Sequence, residues 1–231
     1  MPHVQKSWLT LVLLTLLAVH ATAQSDELNP EIDVYHKLAT RVRFEFQAKQ
    51  SREAGTPNTP EFGPGLDFYL TNVLPRLREI RKSDKDSSKD HVLVLSIGYR
   101  YLPTQDKPPT NRMEPVVTIN LPVPKTELLF SDKNRADLDW QNGGFTWRYR
   151  NRAQFQRTFG IRSYHFSPYG SAEFFYESQY GKWSDTAIYA GCLFPLGNHV
   201  AFNPYYEHQN NTGKKPNQQL NQLGLILSLY F

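Results

Sequence analysis

The sequence predicts an all-β protein, an antiparallel up-and-down transmembrane β-barrel of about ten strands, with twelve as the alternative. Three observations support this prediction. Apolar and polar residues alternate with a period of two over segments of about ten residues, as in membrane barrels. Aromatic residues make up 13% of the chain, although the chain as a whole is only modestly hydrophobic. The chain also ends on an alternating segment whose last residue is Phe231.

The N-terminal residues resemble an export signal. Lys6 supplies positive charge, residues 8–19 form an apolar run interrupted only by threonines, and Ala21-Thr22-Ala23 is typical of a cleavage site. The apolar run is shorter than the roughly 20 residues of a spanning helix. We therefore expect residues 1–23 to be a signal peptide cleaved near Ala23, and residues 24–231 to form a single outer-membrane barrel domain.

Charge, cysteine and histidine content argue against several classes of protein. With 26 basic and 22 acidic residues the formal charge is +4, which is too small an asymmetry to predict nucleic-acid binding. The single cysteine, Cys192, cannot form a disulfide within the chain. No metal site or cofactor is predicted, because no His, Cys or Asp spacing repeats among the scattered histidines, which include His36, His91, His165, His199 and His208.

Ten segments carry the strand pattern and are separated by turn residues. Their approximate spans are 33–49, 62–74, 90–102, 112–122, 125–141, 145–158, 167–180, 183–196, 199–210 and 219–231.

Two of these segments show the alternation most clearly. In 145–158 aromatic side chains share one face, while Arg148, Arg150 and Arg152 share the other. A helix, with its period of 3.6, would scatter these arginines around its circumference. The final segment collects apolar residues on a single face, namely Leu223, Leu225, Leu227, Leu229 and Phe231.

Alternation alone does not say which face meets lipid, because a soluble ligand-binding barrel would turn its aromatic face inward. Three features favour the outward orientation. The segments approach the roughly 9–11 residues that cross a bilayer, aromatic residues recur near segment ends, and a terminal phenylalanine is the usual end of outer-membrane barrels. We therefore expect a bacterial outer-membrane location. The expected partners are the lipids of that membrane and the insertion machinery, which would recognise the five apolar residues of the final segment. A soluble periplasmic ligand-binding barrel is the alternative.

The connections between segments predict two unequal rims. With the N-terminus on the periplasmic side, short turns are expected at that rim and longer polar loops, 51–61 and 103–111, at the other. The charged stretch 76–89 does not fit this scheme. We interpret it as a solvated loop or a short helix, while a hairpin there would give the twelve-stranded alternative.

Several motifs resemble a known family. The stretch 137–152, centred on Phe145-Thr146-Trp147-Arg148-Tyr149-Arg150-Asn151-Arg152, resembles an uncharacterised bacterial family of outer-membrane barrels that carries the label of a domain of unknown function. The segments 167–176, 194–197 and 229–231 continue the resemblance, which covers most of the chain after residue 23. It implies the fold and the location, and it implies no catalytic residues.

The candidate functional feature is a row of charges on three neighbouring segments. Opposite charges on adjacent strands attract, so acids flanking the arginine row would form a network in the lumen. One interpretation is structural filling of a narrow lumen. The other is a passage for a small anionic solute, selected by the arginines. The network comprises Asp137, Asp139, Arg148, Arg150, Arg152, Glu173 and Glu177.

An enzyme is the less favoured interpretation, and no catalytic residues are assigned. An outer-membrane lipid hydrolase, of the phospholipase or lipid A deacylase type, would need a serine and a histidine close together near the outer rim. The candidates are Ser178 and His208, but no family-style motif surrounds Ser178.

Overall fold

The computed structural model of the chain describes residues 27–51, 59–80, 84–104, 107–213 and 216–231. The expected signal peptide, residues 1–23, lies outside the described residues. Among the residues that are described, no helix has both the length and the apolar character needed to cross a bilayer.

The described chain consists almost entirely of strands, with one short α-helix, α1 (Pro75–Ile80), and one 3₁₀ helix (Ser87–Asp90). The strands are β1 (Glu27–Ala39), β2 (Val42–Ser51), β3 (Thr59–Tyr69), β4 (Leu93–Thr104), β5 (Lys107–Pro122), β6 (Leu128–Gln141), β7 (Gly144–Arg157), β8 (Phe159–Ile161), β9 (Tyr164–Glu177), β10 (Lys182–Leu196), β11 (Val200–Asn211) and β12 (Gln218–Tyr230).

Eleven of these strands form a closed barrel. They pair in the order β10-β11-β12-β1-β2-β3-β4-β5-β6-β7-β9, and the pairing of β9 with β10 closes the ring. The short strand β8 pairs only with β9, over Phe159–Ile161. The all-β class and the antiparallel barrel are confirmed, and the number of barrel strands falls between the two predicted numbers.

The odd strand number forces one pair to be parallel, and that pair is β1 with β12. Their register runs from Glu27 opposite Gln222 to Tyr35 opposite Tyr230. Both strands therefore end at the same rim, which we call the C-terminal rim because Phe231 lies there. The backbone N–H of Lys37 donates to the carbonyl of Phe231 (3.0 Å) and so fixes the end of the chain.

The predicted first strand, 33–49, is two strands, β1 and β2, joined by a tight turn. A β-bulge between Lys37 and Ala39 explains why the turn was missed. Without this bulge the inward residues would change from odd to even numbers across the hairpin. With it, Asp33 in β1 and Arg43 in β2 both face inward, so the alternation passes through the turn unbroken.

The two faces of the barrel differ sharply in character. Most inward residues are polar or charged and buried, with Asp137 fully buried. Most outward residues are apolar, and many are exposed, for example Phe155 at 51% and Ile188 at 62%. A small apolar cluster of Phe175, Ala187 and Tyr189 lies on the inner face.

Residues 70–80 and 84–92 pack into the C-terminal rim from inside, and we call these residues the plug. Leu77 of α1 is fully buried, and Asp84 is 2% exposed. The side-chain amide of Asn120, an inward residue of β5, donates to the carbonyls of Ser88 and His91 (3.3 and 3.0 Å). The predictions of a solvated loop and of an extra hairpin are therefore wrong, whereas the short-helix alternative is correct for 75–80.

The predicted difference between the rims is also wrong in part. The expected loop at 103–111 is a hairpin, because β4 extends to Thr104 and β5 begins at Lys107. The long connection lies at the C-terminal rim, where short turns were expected, and it is the plug. A long polar segment can fold inward in a barrel, where charged walls supply partners for it, so its polarity did not predict an exposed loop.

Disulfide trapping tests the parallel closure. In a Cys192→Ser background, the pair Ile32→Cys and Leu227→Cys should cross-link on mild oxidation, because these positions are register partners. The pair Leu28→Cys and Leu227→Cys should not, because Leu28 lies opposite Leu223. Gel mobility with and without reductant reports the bond. Cross-linking of the second pair but not of the first would contradict the parallel register.

Candidate functional site

The charged lumen is organised around Asp137 of β6. Its carboxylate pairs with Arg135 (2.7 Å), with Arg148 (2.9 Å) and, more distantly, with Arg150 (3.7 Å). Arg148 lies directly opposite Asp137 in the β6–β7 register. A single fully buried carboxylate therefore holds three guanidinium groups from two strands.

Glu173 of β9 is the second centre of the network. Its carboxylate pairs with Arg150 (2.7 Å) and Arg152 (2.6 Å) and accepts a hydrogen bond from the Tyr189 hydroxyl (2.9 Å). The guanidinium of Arg150 also lies 4.5 Å from the ring centroid of Phe175, and that of Arg152 lies 4.2 Å from that of Tyr189. Aromatic faces thus complete the surroundings of both cations.

The other two predicted acids lie towards the rim opposite Phe231. Asp139 binds Arg112 of β5 through two hydrogen bonds (2.7 and 2.9 Å). Glu177 lies opposite Arg148 in the β7–β9 register and accepts a hydrogen bond from Gln179 (2.5 Å).

Sequence reasoning missed the charges on β2 to β5. Arg100 of β4 contacts Glu45 and Glu114 (both 3.5 Å) and donates to the carbonyl of Pro64 (2.9 Å). Arg112 reaches Glu61 (3.4 Å). Each lies at an inward position of an alternating segment, so extending the face analysis to every strand would have found them.

Two adjoining cavities remain open inside the network. One, of about 160 Å³, is lined by residues towards the rim opposite Phe231, among them Asn29 and Gln209. The other, of about 310 Å³, reaches Asp86 and Lys89 of the plug. They share several lining residues, including Glu31, Gln47, Lys133, Arg152 and Tyr169.

Two glycines on inward positions allow tyrosine rings to lie close to the barrel wall. A Cβ at Gly224 would lie 1.9 Å from the ring of Tyr205, and one at Gly191 would lie 2.6 Å from the ring of Tyr169. Both tyrosine rings therefore pack against the backbone of a neighbouring strand, a close approach that only glycine permits.

Acidic side chains outnumber basic ones on the inward face of the described strands. The basic residues are Lys37, Arg43, Lys49, Arg100, Arg112, Lys133, Arg135, Arg148, Arg150, Arg152 and Lys182, and the acidic ones are Glu31, Asp33, Glu45, Glu61, Asp67, Glu114, Asp137, Asp139, Glu173, Glu177, Asp185 and Glu207. The arginine row thus does not give the lumen a net positive charge.

Ion pairs hold the plug to the barrel wall. Arg43 of β2 binds Asp67 (2.6 Å) and Asp86 of the plug (2.5 Å). Lys89 binds Asp84 (2.5 Å) within the plug and donates to the side chain of Gln156 in β7 (2.8 Å). The plug is therefore fastened to two separate parts of the wall.

The pair between Arg43 and Asp86 is insensitive to mild acid. Burial by itself raises the pKa of the Asp86 carboxyl, but the charges of Arg43 and Lys89 and the hydrogen bonds from Ser88 outweigh it, so the pKa lies below the ordinary value of 3.8. Because the pKa of the folded state is depressed, the stabilisation is fully present above about pH 4 and is lost only as the pH falls through the lowered pKa.

A comparison of the sequence with family models identifies the family. Residues 90–220, more than half of the chain, match the model described as "Protein of unknown function (DUF2490)". The chain belongs to the DUF2490 family. The predicted resemblance to a family of unknown function is thereby confirmed. No curated protein and no solved structure matches the chain.

In this DUF2490 protein the two residues considered for hydrolysis are not brought together. Ser178 Oγ accepts a hydrogen bond from the backbone N–H of Trp147 (2.9 Å) and lines a cavity with Arg112 and Asp139. His208 does not line that cavity, and its Nδ1 bonds the side chain of Asn221 (2.7 Å) on the outward face.

The outward face carries one polar cluster at mid-length of β6 and β7. Asn151 donates to Asp132 (2.7 Å) and to Asn134 (3.0 Å), and Asn134 donates to Asp132 (2.9 Å). The hydroxyl of Tyr149 donates to Asn134 (2.5 Å). These side chains satisfy one another, which lowers the cost of placing them in apolar surroundings.

The five residues of the expected insertion signal lie on or just beyond β12. Leu223 is 44% exposed and Phe231 is 65% exposed. In the β11–β12 register Leu225, Leu227 and Leu229 pair with Pro204, Phe202 and Val200, which extends the apolar outer surface. Among the described residues, no group of three His, Cys, Asp or Glu side chains could hold a metal ion.

Substitution of Asp137 tests the role of the network in stability. Asp137→Asn leaves several buried arginines without their shared charge, and removing one partner of a buried ion pair typically costs about 3–5 kcal/mol of the free energy of unfolding. Denaturant unfolding followed by tryptophan fluorescence measures this loss. The matched control is Glu127→Gln, since the Glu127–Arg157 pair is largely exposed (71% and 47%) and such pairs contribute at most about 1 kcal/mol. Equal losses in the free energy of unfolding of the two variants would contradict a central role of Asp137 in stability.

Proposed function

We propose that this DUF2490 protein is a bacterial outer-membrane β-barrel whose charged lumen gives a narrow, plugged passage to small polar solutes. The observation that carries the proposal is the opposite chemistry of the two faces. Most lumen residues are polar or charged, while the outer surface is mainly apolar outside the cluster around Asn134 and the contacts of Asn221.

The extent of the apolar surface supports a lipid environment. Exposed hydrophobic residues occur around the barrel wall, for example Ile32 in β1, Ile97 in β4 and Phe174 in β9. Soluble monomers rarely expose contiguous apolar patches larger than a few hundred Å². A closed barrel also satisfies the backbone hydrogen bonds of its strands without water, as hydrocarbon requires.

Aromatic residues near both rims support the same placement. Towards the rim opposite Phe231, Tyr176 stacks on Trp147 with ring centroids 5.5 Å apart and meets Trp183 edge-on at 5.8 Å. At the C-terminal rim, Phe159 and Phe166 stack at 5.9 Å. Aromatic side chains favour the two interfaces of a membrane because one end of the ring system can remain polar.

The final strand supports insertion as an outer-membrane protein. Its outward leucines and the exposed Phe231 form a continuous apolar edge at the rim where the chain ends. We infer that the barrel-insertion machinery recognises this strand and that outer-membrane lipids surround it. The expected signal peptide, cleaved near Ala23, would direct the chain out of the cytoplasm.

The lumen supports a restricted passage more than a wide pore. An eleven-stranded barrel is far below the sixteen or so strands that leave an open aqueous channel. Its cavities of about 160 and 310 Å³ are small, and the plug closes one of them at the C-terminal rim. Release of the plug would join these cavities to the outside, so we infer that plug movement controls the passage.

The alternatives are less well supported by the same observations. A soluble ligand-binding barrel would turn its aromatic face inward, yet Phe145, Trp147 and Phe155 point outward and are exposed. A lipid hydrolase would need Ser178 and His208 within hydrogen-bond distance, and each has a different partner.

Membrane separation and conductance together test the proposal. The protein should sediment with outer membranes and show heat-dependent gel mobility, and once purified it should insert into planar bilayers with a small, rarely open conductance. Asp86→Asn removes a charge-assisted hydrogen bond worth about 1.5–3 kcal/mol and should raise the open probability at neutral pH about tenfold or more.

The control for this measurement is Glu79→Gln, which alters an exposed acid of the same plug and should leave the conductance unchanged. Wild-type protein should stay closed between pH 7 and pH 5, because the pKa of Asp86 is lowered. Recovery of the protein from the soluble periplasmic fraction, or equal conductance of the wild type and Asp86→Asn, would overturn the proposal.

A further inference from the structure

Several charged side chains that line the shared cavity form no ion pair with a described residue, and they lie on two walls. We call Glu31 and Asp33 of β1 with Glu207 of β11 the acidic wall, and Lys133 of β6 with Arg152 of β7 the basic wall. Around the ring, β1 lies five strands from β6 in one direction and six in the other. Glu31 and Lys133 therefore approach the cavity from opposite sides of the barrel.

The carboxylates of the acidic wall form no ion pair with a described residue. Lys49 lies opposite Glu31 across β1 and β2, but it pairs with Glu61 (3.5 Å). Glu31 and Asp33 share the side-chain amide of Gln47 as donor (2.7 and 3.1 Å). Glu207 accepts a hydrogen bond from Gln222 (2.5 Å). No lysine or arginine nitrogen of the described chain lies within 4.0 Å of these three carboxylates.

In the basic wall Arg152 is paired with Glu173 (2.6 Å), and Lys133 is not paired. Lys133 forms no ion pair or hydrogen bond with any described residue, and it is exposed to the cavity. Its register partner across β6 and β7 is Arg152, another cation. Arg152 shares Glu173 with Arg150 and is the most exposed arginine of the network, at 32%. Like charges directly opposite each other on neighbouring strands are unfavourable.

Both walls border the same space. Glu31, Lys133 and Arg152 line both cavities, Asp33 lines the larger one and Glu207 the smaller one. The larger cavity, of about 310 Å³, is lined by residues of both walls, namely Glu31, Asp33, Lys133 and Arg152. It is large enough for a small organic molecule.

The separation of charge selects the class of molecule. A purely anionic solute is attracted by the basic wall but repelled by the acidic wall. A purely cationic solute is attracted by the acidic wall but repelled by the basic wall. A solute with a positive and a negative end satisfies both walls in one orientation. On the basis of the proposed function, we propose that the lumen is a binding site for small zwitterionic solutes, with an ammonium group towards Glu31 and Asp33 and a carboxylate towards Lys133 and Arg152.

Calorimetry on the full-length detergent-purified protein tests this proposal with 6-aminohexanoate as the probe. Hexanoate and hexylammonium have the same chain with one charge each, and both should bind at least about tenfold more weakly than the zwitterion. Glu31→Gln should remove the advantage over hexanoate, and Lys133→Met the advantage over hexylammonium. Glu127→Gln and Lys107→Met, which lie outside the cavities, should leave all three affinities unchanged.

A charge exchange provides the decisive variant. Glu31→Lys combined with Lys133→Glu should restore zwitterion binding that either single change abolishes, because the ligand can bind in the reverse direction. Three outcomes would overturn the proposal. They are equal affinity for hexanoate and 6-aminohexanoate, no binding of 6-aminohexanoate, and a double variant that has native gel mobility but does not regain zwitterion binding. Binding is measured without a membrane, so a failed conductance experiment alone would count against the proposed passage and not against this site.

Discussion

The structure depends on one constraint: charges placed inside a closed sheet must find partners on neighbouring strands. Asp137 and Glu173 meet this requirement for the arginines of β6 and β7. Because each carboxylate serves more than one guanidinium, strands β6, β7 and β9 are bound to one another by side chains as well as by their backbones. Arg100 and Arg112 extend the same arrangement across β2 to β6.

The parallel closure of the sheet follows from the number of strands. A hairpin barrel with an odd number of strands must join its ends in parallel, and here β1 and β12 do so without losing the alternation of faces. The plug then occupies the C-terminal rim, where the wall supplies Arg43 and Gln156 as its partners. What remains open is a cavity whose unpaired charges lie on opposite sides, and the chemistry of the lumen is concentrated there.

Most of the strands and the arginine row could be predicted, because apolar and polar residues alternate along a barrel strand and this alternation is visible in the sequence. The bulge at Lys37 kept the phase constant through the first hairpin, so alternation alone could not reveal the turn. The length of the predicted segment 33–49, well beyond the roughly 9–11 residues of a crossing strand, was the available signal. The plug could not be predicted, because its charges resemble those of a solvated loop until the lumen that receives them is known.

The candidate site was also predictable only in part, according to whether its residues lie on adjacent or distant strands. Local pairings such as Asp137 with Arg148 connect adjacent strands, and the order of the segments predicts their proximity. Glu31 and Lys133 lie on strands that are distant in sequence and opposite in the ring. Their placement on opposite sides could therefore be predicted only with the strand number and the way in which the barrel closes. Arg100 and Glu114 were predictable, because both follow the alternation of inward residues in β4 and β5.

The proposed membrane placement requires that hydrocarbon contacts the leucine face of the last strand while water fills the other face. Nitroxide labels at Leu225, Ile226, Leu227 and Ser228, in a Cys192→Ser background and in lipid vesicles, measure this directly. Although Leu225 and Ile226 are similarly apolar, the first should be accessible to oxygen and the second to a polar nickel reagent, with the alternation repeated at Leu227 and Ser228. Labels at Leu225 and Leu227 that are shielded from oxygen, in a protein that stays dissolved without detergent, would contradict the account.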